Sequence, residues 1–152
     1  MTALGDSLDC IIGDCDVVKA KFSDHEEYVV HTTEAEKISM PMAVIVNSAT
    51  ESCGELFALA LRDESKAQLV GTSTAGKGVM QYTHKLSGGA AVKLTVATVE
   101  TKNSGNFSGT GVKPNFEVAL PSDVDLGTIT EENRLTLDTQ LIKAVEVVQT
   151  IL

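Results

Sequence analysis

The chain has 152 residues, a length that fits one domain able to bury about two thirds of its unfolded surface without a covalent staple. Hydrophobic residues make up 43%, but aromatics only 4% and Trp none, so the core is expected to be aliphatic. A formal net charge of −9 argues against nucleic-acid binding, which demands Lys and Arg for the phosphates, and against adhesion to anionic lipid.

The N-terminal residues M-T-A-L-G-D-S-L-D lack the basic region of a signal peptide. Leu4, Leu8, Ile11 and Ile12 recur at helical spacing, which predicts a helix near residues 3–12 with Gly13 as its stop. Cys10, Cys15 and Cys53 are an odd number and cannot form a closed disulfide framework. They read as ordinary free thiols, although a Cys10–Cys15 pair stays open, and no Cys/His cluster suggests a metal. Residues 16–22 and 27–33 are β-rich runs around Ser23-Asp24-His25-Glu26, the pattern of a hairpin, and 34–41 form a polar connection. The apolar run 42–46, M-A-V-I-V, suits a strand buried on both faces of a parallel sheet. After a turn at 47–50, Ser52 opens an amphipathic helix carrying Leu56, Leu59 and Ala60, and Glu55 completes a capping-box pattern. A short strand at 67–71 follows, then strands at 79–86 and 91–101 joined by Ser87-Gly88-Gly89. Residues 102–115 read as an exposed loop, 116–120 as a last short strand and 121–137 as irregular. Asp138 caps a final helix with Leu141, Ile142, Val145, Val148 and Ile151 as its apolar stripe. No stretch of about 20 apolar residues exists to span a bilayer.

The chemistry concentrates between Asn47 and Gln81. A buried strand, a small-residue turn and a helix opened by Ser52 place its hydroxyl at the carboxyl end of a parallel sheet, where α/β sites lie. The backbone N–H groups of the first helical turn lack intrahelical partners and could donate to a developing oxyanion. A serine nucleophile needs a base. Lys77 stands between Gly76 and Gly78, which allow close backbone approach, and it could serve if uncharged, a form that burial favours. The amide of Gln81, four residues on, could hold it. Each of these residues has an ordinary role too: Ser52 as a helix cap, Lys77 as a solvated loop residue, Glu55 as the capping-box partner, and Gln81 as strand surface. Gly71 to Gly78, G-T-S-T-A-G-K-G, comes near a phosphate-binding loop. Gly78 stands where the magnesium-binding hydroxyl belongs, and the next residues read as strand, so nucleotide binding is not expected. His25, His31 and His84 could in principle serve as bases, but nothing in the spacing ties His84 to Ser52.

Four blocks carry a resemblance: P-M-A-V-I-V-N-S-A-T-E-S-C-G-E-L-F-A-L-A-L-R-D, then A-Q-L-V-G-T-S-T-A-G-K-G-V-M-Q, then L-S-G-G-A-A-V-K-L-T-V-A-T-V, then G-T-G-V-K-P-N-F-E-V. In order and spacing they resemble the carboxyl-terminal processing, or tail-specific, peptidases of serine peptidase family S41, over roughly residues 41–118. The resemblance implies Ser52 as nucleophile, five residues after Asn47, Lys77 as general base twenty-five residues further on, and Gln81 as its support. Glu55 falls on an acidic family position of less uniform role, and Cys53 would supply one oxyanion-hole N–H. The implied fold is a crotonase/ClpP-like α/β stack of ββα units. The implied reaction is hydrolysis of unstructured protein or peptide C-termini through an acyl-enzyme, without metal or cofactor. The peptide is expected along a strand edge.

Departures shape the alternative. Thr50-Glu51-Ser52-Cys53-Gly54 replaces the family's Ser and Ala run, and Glu51 adds a charge beside the site. The family's PDZ domain and the upstream turn that supplies a second oxyanion donor do not occur in these residues. Residues 1–152 are therefore expected to be a single partial catalytic domain, truncated on its N-terminal side. Such a module could instead bind peptide or assemble without catalysis, and open edges would favour homo-oligomers. By resemblance the parent protein is expected outside the cytoplasm or at a membrane.

Overall fold

The computed structural model describes residues 2–24, 26–33, 36 and 38–152. His25 at the expected hairpin tip, and Glu34, Ala35 and Lys37 of the expected connection, lie outside the described residues. The element order is α1 (Thr2–Asp9), β1 (Cys15–Phe22), β2 (Glu27–Thr33), β3 (Ala43–Val46), α2 (Cys53–Ser65), β4 (Gln68–Gly71), β5 (Val79–Lys85), β6 (Ala91–Thr101), β7 (Gly105–Asn106), β8 (Phe116–Glu117), α3 (Arg134–Leu137) and α4 (Thr139–Ile151).

Two sheets result. One is antiparallel in the order β2-β1-β6-β5, with β7 on β6, and the other is parallel in the order β3-β4-β8. The aliphatic core lies between them. Leu4, Leu8 and Ile12 from α1 and its following turn meet Leu56 and Leu59 of α2, Val17, Val18 and Ala20 of β1, Val99 of β6 and Leu69 of β4. A smaller cluster joins Val70 on the other face of β4 to Ala144 and Val147 of α4.

This division corrects one expectation. The strand buried on both faces is β4, not β3. β3 is the edge of its sheet, and Ile45 keeps 40% of its surface exposed. An apolar run shows that a strand is half-buried or better, but strand order decides which one is central. The stripe expected on α4 is corrected for a similar reason. Its buried residues are Gln140, Ala144 and Val147, whereas Val145 and Ile151 are 40% and 45% exposed. The sheet covers only part of the helix's apolar arc. Gln140 is tolerated inside because its Nε2 donates to Val118 O at 2.9 Å. Asp138 caps α4 as expected, accepting from Leu141 N at 2.9 Å. The expected strand at 116–120 shortens to two residues, and α3 forms within the segment read as irregular.

Parallel pairing of Val46 with Gly71 brings the ends of β3 and β4 together, and both chains turn out of the sheet there. At φ 131° Gly71 lies so close that an added Cβ would stand 1.9 Å from Val46 O, so only glycine fits. The turn after β3 leads into α2 and the turn after β4 leads to Lys77, so the site is built where the two meet.

Candidate active site

Ser52 is the N-cap of α2, with φ 54° and ψ −114°, a conformation non-glycine residues seldom hold. Such backbones persist where the surroundings over-determine them, and they cluster at functional sites. Here the surroundings are a single carboxylate. Glu55 is fully buried, with 0% exposure. Its Oε2 accepts from Ser52 N at 2.9 Å, completing the expected half of the capping box, and also from Lys77 N at 2.8 Å. Its Oε1 accepts from Gly76 N at 2.7 Å and from the Thr74 hydroxyl. Four donors compensate the cost of burying the charge, and bonds to a carboxylate are the stronger kind. One oxygen atom thus holds the backbones of the expected nucleophile and base, which lie 25 positions apart in the chain.

The segment leading to Lys77 is laced down along its length. Thr72 N donates to Val46 O at 2.9 Å, Ala75 N to Thr50 O at 3.0 Å, and Thr74 N to Val112 O at 3.2 Å. Thr74 Oγ1 accepts from Val112 N at 2.7 Å, which ties in the 106–112 loop as well. The glycines flanking Lys77 do allow close approach, and the neighbour is that loop. A Cβ on Gly76 would stand 2.8 Å from Gly111 N, and one on Gly78 2.8 Å from Ser108 N.

The side chains are less tightly held. Lys77 Nζ donates to Glu51 Oε1 at 3.3 Å, and the Lys77 side chain is 39% exposed, so burial is not its environment here. Gln81 does not reach Lys77: its Nε2 donates to Thr95 Oγ1 across the β5–β6 pair at 3.3 Å, and its side chain is exposed. Gln81 does share a cleft of about 150 Å³ with Ser52, Cys53, Leu56 and Met80. Cys53 follows Ser52 as the first residue of α2. His84 is exposed on β5 opposite Val92, and His31 lies 3.9 Å from Asp9 at α1. Neither joins the cluster around Glu55. The chain after Lys77 is strand β5, which leaves the near-phosphate loop without the helix that phosphate binding requires. Thr74 was not legible as part of the site, because its two partners lie 19 and 38 residues away and its local sequence is ordinary turn composition.

A serine at a strand–turn–helix junction, with a lysine on the neighbouring turn, defines an α/β site of the kind found in hydrolases. Residues 1–118 match Peptidase family S41, and the chain belongs to that family. It is 31% identical over 105 residues to the carboxy-terminal processing protease CtpA of Bacillus subtilis, covering 69% of this chain and 22% of that protein. It is 41% identical over 81 residues to a carboxyl-terminal-processing protease of Synechocystis, covering 53% of this chain and 19% of the other. Among solved structures, the photosystem II D1 C-terminal processing protease superposes with a TM-score of 0.70 at 28% identity, over 80% of this chain and 33% of that one. A lipoprotein from Streptococcus agalactiae shares the fold at 15% identity, with a TM-score of 0.72 over 98% of this chain and 50% of the other. The chain spans 19–27% of the length of the curated relatives it matches first. Among the described residues no helix is long and apolar enough to cross a membrane.

Proposed function

We propose that residues 1–152 act as one domain, the hydrolytic core of a carboxyl-terminal processing serine peptidase with a Ser52–Lys77 dyad. The observation that carries this reading is the pair of bonds from Ser52 N and Lys77 N to the same Glu55 oxygen. A dyad separated by 25 residues needs a part that keeps its members adjacent, and Glu55 is that part. In acylation, Ser52 Oγ bonds to the scissile carbonyl carbon while its proton passes to uncharged Lys77 Nζ. The oxyanion is stabilised at the start of α2, with the Cys53 N–H as one donor. Collapse of the intermediate breaks the C–N bond, and the Lys77 proton goes to the leaving amine. Water then attacks the ester, gives its proton to Lys77, and Ser52 recovers a proton as the new C-terminus leaves. Gln81 borders the cleft and is assigned a supporting role there.

The substrate is an unstructured protein or peptide C-terminus. We assign it to the outer edge of β5, because among the described residues that strand is unpaired on one side and its Met80 and Gln81 border the Ser52 cleft. We read the architecture as a crotonase/ClpP-like stack of ββα units, on the strength of the parallel β3–α2–β4 unit joined to antiparallel pairs. By the family resemblance, we read the protein as acting outside the cytoplasm or at a membrane.

The second reading is a peptide-binding or assembly module without catalysis. It is favoured by the Lys77 amine being engaged with Glu51 and not with Ser52. A serine-reactive fluorophosphonate decides between the two. Labelling of Ser52, with peptide hydrolysis lost about 10³-fold or more in Ser52→Ala and Lys77→Ala, is expected for the enzyme. Peptide binding with no label at Ser52 establishes the module. Full activity in Lys77→Ala together with its loss in His84→Ala overturns the dyad.

A further inference from the structure

Glu51 immediately precedes Ser52, so the turn that presents the hydroxyl also presents a carboxylate. That carboxylate is the one group, among the described residues, to which the Lys77 amine is bonded. Two acids face Lys77. Glu55 is buried and takes the backbone N–H, with its oxygens already occupied by four donors. Glu51 is exposed and takes Nζ at 3.3 Å. A general base must offer a lone pair, and an ammonium donating to a carboxylate has none to offer. A carboxylate that accepts from an ammonium holds it by a charge-assisted hydrogen bond.

We propose that Glu51 is a brake on the dyad: a positioning residue that holds the Lys77 amine at its own carboxylate, so that acylation requires this pair to open first. The inference rests on the Ser52–Lys77 reading above. Both side chains are substantially solvated, 39% and 58% exposed, so the brake is weak. Exposed pairs of this kind are worth at most about 1 kcal/mol, which corresponds to about fivefold in rate.

The test compares the parent chain with Glu51→Gln, which keeps the side-chain shape and removes the charge. Brief treatment with a limiting amine-acylating reagent, read by peptide mass spectrometry, measures acylation of Lys77 against that of exposed Lys93. The Lys77:Lys93 ratio is expected to rise about two- to fivefold at pH 7 in the variant. Fluorophosphonate labelling of Ser52 is expected to rise by a similar factor. The kcat for peptide hydrolysis should rise with it while KM stays the same. The gain should fade as the salt concentration nears about 1 M, which screens an exposed pair. A mutation that merely loosened the fold would not give this salt dependence. An unchanged Lys77:Lys93 ratio overturns the brake. So does a raised ratio with unchanged or reduced Ser52 labelling, the latter making Glu51 a helper of the charged lysine. Failure of the dyad itself shows differently: Lys77→Ala then labels at Ser52 as fast as the parent, whatever Glu51 does.

Discussion

The buried knot around Glu55 and the exposed rim formed by Glu51, the Lys77 amine and the β5–β6 pair lie side by side, yet they are held by forces of different strength. In the knot, one carboxylate at 0% exposure gathers three backbone N–H groups and a hydroxyl from two stretches of chain. At the rim, partners meet in water: Lys77 with Glu51, Gln81 with Thr95, and Tyr82 opposite Leu94 with 61% and 54% of their surfaces exposed. The backbone of the site is therefore held by buried bonds, whereas the Lys77 amine meets its partner in water. A hydrolase can use that combination, because adjacency must be permanent and proton transfer must be reversible.

Substitutions can break or sharpen the comparison. The largest effect on stability is expected from Glu55→Ala, which strands three inward-facing N–H groups. It should cost about 3–5 kcal/mol, lowering Tm by about 6–20 °C in thermal unfolding followed by circular dichroism. A loss below about 1 kcal/mol would show that the knot is not what holds the turns together. Thr74→Val keeps the shape but removes one donor to Glu55 and the acceptor for Val112 N. About 1–3 kcal/mol is expected in urea unfolding, with an unchanged slope. At the rim, Glu51→Gln should change stability by no more than about 1 kcal/mol, even as it alters Lys77 reactivity. The smallest effect belongs to Tyr82→Ala on the far stretch of the β5–β6 pair, within about 0.5 kcal/mol by the same measurement. A large loss there would mean that this exposed ribbon packs against something in solution.

The order of elements was legible in the sequence because it rests on local periodicity and turn chemistry. The apolar run before Asn47, the Ser52 cap with Glu55 three residues on, the β-rich 79–86 and 91–101 runs and the Asp138 cap each depend on neighbours a few positions away, and each appears near its expected place. Where the reading failed, the cause was nonlocal. Nothing within β3 or β4 says which is the edge, since both are short and apolar, and that depends on a third strand 45 residues beyond β4. The buried face of α4 likewise depends on where the sheet stops.

What the sequence determined alone was a family, a serine at a helix start and a glycine-flanked lysine downstream, because these are patterns of residue type at fixed spacing. The tertiary structure alone decided that Glu55 is the clasp between them, that Thr74 completes it, that Gln81 turns to Thr95, and that Glu51 holds the lysine amine. Those outcomes depend on hydrogen bonds spanning 14 to 38 residues, whose partners become neighbours only when the parallel strands align their ends, β5 pairs with β6 and the loops close over them.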